Sequence, residues 1–437
     1  ARRQALASVS DADPVGPWYE AALPGRQAFC MRDVSHQAMG AHALGLALHT
    51  RSMLHRFARS ATDARDWCCL WEIDRNGAPP AVDYLDDDQF WFCLPANFDV
   101  LDCCWRMYTW SGDASYLTDP VFRSFYRSTV YEHVERWDLS VQRIMSRPRL
   151  LNVRPELGPA LRFTASRGIP GYDEGNHEFT VGFDLLAAMA AGYRAYARIQ
   201  EASGHAREAA LFQRRAAEVL GLIEETWWDP REGRYFSSTD AQGRPVHGGA
   251  RGDAPALYWR VAGNPARAAA LVARIAAGAP RQPTDAVEEQ SHLPEVLYRA
   301  GAAAAAFQQV LLLAGSDRRE YPEVSFSIVG AMTTGLMGIE GERESREGAR
   351  EKGTHVDWVI TTLPRLPDES GWASLAHLPV QGNIVGVRHD GGRATTLTNE
   401  SGPALLWRPR FSGSQIPAGR TADVIVGSGE SITVEAR

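Results

Sequence analysis

The sequence predicts a mainly α-helical protein, a toroid of paired helices followed by a small antiparallel β-domain. Three observations predict it. Between residues 36 and 338 apolar positions recur at steps of three and four, the period of a helix with one buried face. Gly45, Gly263-Asn264-Pro265 and Gly301 interrupt these runs with turn chemistry, which splits long stretches into hairpins. Beyond about residue 350 the period drops to two.

The runs are 36–54, 96–110, 122–139, a helix through Phe179 that ends near Gly204, 206–228, 254–278, 292–315 and 324–339. In the helix that ends near Gly204, the residues Phe179, Phe183, Leu186, Ala190, Tyr193 and Ala197 share one face, and Asn176 is placed to cap it, so that the helix includes Phe179. After the splits the helix count falls near ten to twelve, and short hairpins are expected at Asn76-Gly77 and around Tyr235-Phe236. The C-terminal strands turn at Asp390-Gly391, Ser401-Gly402 and Gly427-Ser428-Gly429. The expected division is an N-terminal segment (1–30), a helical catalytic domain (31–350) and a β-sandwich-like domain (351–437).

Composition narrows the partners. Of 437 residues 23% are charged and the formal net charge is −7, which disfavours nucleic acid. No apolar run approaches the roughly 20 residues of a membrane-spanning helix, so a soluble chain with no membrane partner is expected. It starts at Ala1 without an initiator methionine, as a chain would after losing a leader or upstream segment; secreted, periplasmic and cytoplasmic locations and the oligomeric state all stay open. Six cysteines (30, 68, 69, 93, 103 and 104) lie in the first quarter with no zinc-ligand spacing, so they read as small buried hydrophobes, and their redox state is undecided. No metal and no cofactor is expected.

Chemistry concentrates in clusters at loops and helix ends. FCMRDVSHQ sets Arg32 and Asp33 just before a helix and His36 in its first turn, where an acid is stabilised by the macrodipole. DYLDDDQFWF runs Asp86, Asp87 and Asp88 into aromatics. Either it is a solvated turn, or it binds sugar, with carboxylates accepting from hydroxyls while Trp91 stacks on an apolar sugar face. GYDEGNHEF crowds Tyr172, Glu174, His177 and Glu178 at the mouth of the helix through Phe179, with Glu178 in its first turn and Glu174 outside it. REYPEV puts Glu323 at a proline-started helix, and DAVEEQSHLPEV offers Glu289 and His292 at another, there read as a solvated start. Two acid-bearing helix starts across one cavity suit glycoside hydrolysis, which needs one protonated and one ionised carboxyl. A carbohydrate is the expected substrate.

On these motifs the chain resembles the six-hairpin glycosidase-like superfamily, which includes glucoamylases and α-L-rhamnosidases. The resemblance covers about residues 25–345 and implies an (α/α)6 barrel. Arg32-Asp33 looks like the Arg-Asp that glucoamylases place beside the terminal sugar, and YDEGNHEFTVGF is similar to their tryptophan-glutamate-glutamate stretch. That likeness implies Glu174 as general acid, with Glu323 as partner carboxylate and Glu178 in reserve. The chain departs by carrying Tyr172 for the tryptophan and Asp173 for the first glutamate, and the surroundings of Glu323 do not follow the glucoamylase pattern. A polysaccharide lyase or unsaturated-uronyl hydrolase, and a non-catalytic carbohydrate-binding barrel, are the alternative readings.

Overall fold

The computed structural model describes residues 1–147, 166–172, 179–240, 242–247, 252–280, 288–344, 358–368, 371–411 and 423–436. Its helices fall into two kinds. Met31–Ala43, Pro95–Ser111, Phe183–Ala202 and Pro322–Gly330 are buried on nearly all sides. Ala206–Thr226, Pro265–Ala277 and Ala303–Gly315 bury a single stripe. An all-round apolar helix belongs inside a protein and a striped one outside it. Met31–Ala43, Pro95–Ser111, Phe183–Ala202 and the short Asp253–Tyr258 and Leu293–Arg299 pack each on the next in chain order, Leu293–Arg299 packs on Ala331–Leu336, which continues Pro322–Gly330, and Pro322–Gly330 packs back on Met31–Ala43.

The turn residues cut the helices where the sequence predicts. Gly45 (φ 83°) parts Met31–Ala43 from Ala47–Ser60, and Gly301 (φ 83°) parts Leu293–Arg299 from Ala303–Gly315, left-handed conformations that a side chain resists. Asn264 caps Pro265–Ala277 by accepting from the Ala266 and Arg267 amides. The run over 122–139 becomes Pro120–Ser128 followed by a π-turn, Thr129–His133, and Val134–Arg136; Pro322–Gly330 likewise continues into a π-turn, Ala331–Leu336.

Three expectations need correction. The helix expected through Phe179 starts at Phe183, because 179–182 is held extended: Val181 N donates to Thr239 Oγ1 and Gly182 N to Pro170 O. The acid in its first turn is Asp184. The Asn76-Gly77 turn closes no hairpin with 81–84. Asp74 folds it by accepting from the Asn76 and Ala78 amides, and the strand Glu72–Asp74 pairs with Ala28–Cys30. In the N-terminal segment, Arg2–Ala7 packs on Pro322–Gly330. Finally, the β-rich part begins at Glu340, ahead of the switch near residue 350, and is not purely antiparallel. One four-stranded sheet contains Glu340–Arg343 beside Trp358–Thr362, which runs parallel to Leu405–Pro409; the other is an antiparallel meander of Trp372–Val380, Asn383–Asp390 and Ala394–Ser401 with Ser431–Glu435.

All six cysteines are free thiols and buried, small core side chains as their spacing suggests. No helix among the described residues is long and apolar enough to cross a membrane.

Candidate active site

Three buried helices begin at the same place. Met31–Ala43 supplies Asp33 in its first turn and His36 one turn on; Pro95–Ser111 supplies Asp99; Pro322–Gly330 supplies Glu323 directly after Pro322, whose fixed φ starts the helix. Backbone N–H groups and macrodipoles at helix N-termini favour negative charge, so these ends tolerate buried carboxylates. Glycine sets the spacing. A Cβ on Gly40 would stand 1.9 Å from the Phe326 carbonyl oxygen, and the contact is one turn beyond His36 on one helix and three residues beyond Glu323 on the other.

His36 is the hub. Its Nδ1 lies 3.3 Å from Glu323 Oε1 and its Nε2 3.3 Å from Asp99 Oδ2. Ser291 donates to the same Glu323 oxygen at 2.6 Å, and the Tyr172 hydroxyl donates to Asp99 Oδ2 at 3.2 Å. The other oxygens, Glu323 Oε2 and Asp99 Oδ1, are buried with no hydrogen-bond partner among the described residues. Tyr258 and His292 complete the wall, their rings 5.3 and 5.5 Å from the His36 imidazole. On the flank, Arg32 pairs with Asp33 at 3.3 Å and its guanidinium lies over the rings of Tyr172 and Trp71. Tyr321 donates to the other Asp33 oxygen at 3.4 Å.

Burial alone would strip His36 of its proton, but Asp99 and Glu323 outweigh it and push the imidazole up to about 9. His36 is therefore a cation at neutral pH. A folded-state pKa above the unfolded 6.5 stabilises the fold fully below pH 6.5, and the contribution is lost as pH rises through 9. Two and a half units correspond to about 3 kcal/mol. Urea unfolding from pH 6 to 10 should show a loss of that order that His36→Gln lacks; parallel curves for the two proteins would remove the buried imidazolium. His42 and His133 titrate oppositely, since burial pulls them down to about 4 and about 3.

A second carboxyl pair stands behind Arg32. Glu72 and Asp83, both buried, share Arg26 at 3.2 and 3.4 Å. Burial first and Asp83 next push the Glu72 carboxyl far above its ordinary range, so the pair holds a proton between them.

The structure thus brings together Arg32, Asp33, His36, Tyr172, His292 and Glu323. It does not bring the triple-aspartate loop to them. Asp86 accepts from the Asp88 and Gln89 amides, Asp87 pairs with Arg65 at 2.7 Å, and Asp88 is exposed. Trp91 is 1% exposed inside the core, so it offers no face for a sugar. The solvated turn is the reading that fits these contacts. Glu174, His177 and Glu178 lie outside the described residues. Glu289 falls in the short helix Glu288–Ser291 with its side chain outside that set.

No protein-family model matches the chain, and no curated protein matches it. Solved structures do. A protein assigned as a kojibiose phosphorylase from the human microbiome superposes with a TM-score of 0.55 at 8% identity, covering 99% of this chain and 64% of its own. The α-L-rhamnosidase of Aspergillus terreus gives 0.55 at 15% identity, covering 93% and 45%. That of Dictyoglumus thermophilum gives 0.54 at 12%, covering 93% and 46%. The chain has a mainly α-helical, glycosidase-like fold. It spans less than two thirds of each of these three structures.

Within this glycosidase-like fold, sequence reasoning misses Asp99, Tyr258, Ser291, Tyr321 and the Glu72–Asp83 pair. Asp99 had a readable signal, an acid four residues into the apolar, proline-started helix PANFDVLDCC. Ser291 and Tyr258 had none, because nothing local distinguishes them from ordinary core and cap residues.

Proposed function

We propose that the protein is a glycoside hydrolase that cleaves an oligo- or polysaccharide with paired carboxyls on a closed (α/α)6 toroid. The observation that carries this reading is Glu323. One of its oxygens is held by Ser291 and the His36 imidazolium, while the other is buried and uncommitted. A carboxylate fixed through one oxygen presents the second as a base or nucleophile. Asp99, across the imidazole, and Asp33 with Arg32 are placed to accept and donate hydrogen bonds to sugar hydroxyls.

The acid in this scheme is Glu174. Tyr172 is anchored by its amide to Asp184 at 2.6 Å and by its hydroxyl to Asp99, and two residues of chain reach about 7 Å at most. Glu174 protonates the leaving oxygen as the glycosidic bond breaks, while Glu323 either takes a proton from the attacking water or adds to the anomeric carbon. Neighbours named for rhamnosidase and phosphorylase activity support action on a glycoside, with water as our acceptor. Glu174→Gln should slow glycosides with poor leaving groups far more than activated aryl glycosides, which need little protonation. Equal, modest slowing of both, with the leaving-group dependence appearing in Glu178→Gln, would move the acid to Glu178.

A further inference from the structure

One cavity lies away from the helix starts. It has a volume of about 580 Å³, within the range that takes a small molecule, and lies among the C-terminal halves of the buried helices beside the strand Glu340–Arg343. Tyr258 is common to both places: its ring flanks His36 and it also lines the cavity.

The wall is rich in arginine, and most of it is already engaged. Asp102 holds Arg106 at 3.0 Å, Glu295 holds Arg299 at 3.7 Å, and Glu340 holds Arg260 at 3.5 Å. Arg194 donates to the carbonyls of Trp259 and Arg260, and Arg299 to that of Tyr258, an ordinary use of arginine at helix C-termini. What stays uncommitted is mainly donors. The Tyr258 hydroxyl and the Trp259 indole N–H are buried with no partner among the described residues, on side chains over nine-tenths buried. Tyr258 lines this cavity together with Asp102, Arg106 and Glu295. Arg198, also lining it, is exposed and has no partner among the described residues; Glu201 stands at the same rim. Buried donors without acceptors are costly unless a ligand supplies the acceptors. A phenol, an indole N–H and a free guanidinium around one volume match an anionic oxygen group.

We propose that this cavity is a second binding site, separate from the Glu323 cluster, for a small organic anion that presents a phosphate or carboxylate group to Arg198, Tyr258 and Trp259. The test is calorimetric titration of the full chain with inorganic phosphate, glucose 6-phosphate, glucuronate and neutral glucose. At least one anion should bind saturably below about 10 mM. Arg198→Gln, a surface change that should leave the melting temperature unaltered, should weaken it at least about tenfold, and Tyr258→Phe should weaken it as well. Equal binding of phosphate and glucose 6-phosphate assigns the site to the phosphate group itself, and preference for glucuronate assigns it to a sugar acid. Repeating the titration on Glu323→Gln separates this site from the proposed reaction, since binding should persist there. No saturable binding by any of the three anions, or affinity unchanged in Arg198→Gln, overturns the proposal.

Discussion

Replacing Glu323 by glutamine should lower kcat by about 10²–10⁴-fold on whichever aryl glycoside the protein hydrolyses, with the fold intact. Glutamine keeps the shape and an oxygen that accepts from Ser291, but it lacks the charge that makes Oε2 a base or nucleophile and that counters His36. The measurement is turnover beside circular dichroism. Glu323→Ala should lose as much and be partly rescued by azide, which enters on the face that Glu323 serves and gives a glycosyl azide of inverted configuration; the configuration of the sugar first released by the unsubstituted protein reads the stereochemistry of the normal reaction. Wild-type turnover in the glutamine variant would take Glu323 out of the chemistry.

The largest loss of stability is expected from a single methyl group. Gly40→Ala puts a carbon 1.9 Å from the Phe326 carbonyl oxygen, a backbone atom that no rotamer change can move aside. The two helices must separate, at a cost of about 3 kcal/mol or more, the upper end for overpacking. Gly330→Ala meets its nearest neighbour at 3.3 Å and should cost much less. Because His36 and Glu323 sit next to the crossing, Gly40→Ala should also reduce turnover in whatever fraction stays folded. Urea unfolding of both variants checks the order, and equal stabilities would mean that the crossing yields more easily than its geometry allows.

The helix pairs were legible because glycine, asparagine and proline act locally: Gly45, Asn264 and Gly301 cut the chain regardless of what surrounds it. The start of the helix at Phe183 was not legible, because Thr239 and Pro170, distant in sequence, hold residues 179–182 extended. The candidate site shows the same division. Asp33 and Glu323 announce themselves as acids at helix starts, whereas the role of His36 depends on Asp99 and Glu323 arriving from two other helices. The triple-aspartate loop misled for the reverse reason. Its acids have local partners, the Asp88 and Gln89 amides and Arg65, and three adjacent carboxylates look more purposeful in a string of letters than in a turn.

The hydrogen bond from His36 to Glu323 joins residues 287 positions apart, and that from Tyr321 to Asp33 joins residues 288 apart. Contacts of such span carry the steepest loop-closure entropy and form late. Order of synthesis sharpens the point. A nascent chain that ends before Pro322 already contains Asp33, His36 and Asp99, yet the face of Met31–Ala43 around Gly40 has nothing to pack on and the imidazole lacks one of its two carboxylates. The last buried helix therefore completes the core and the charge balance of the site in one event, and a chain that ends before Pro322 has neither.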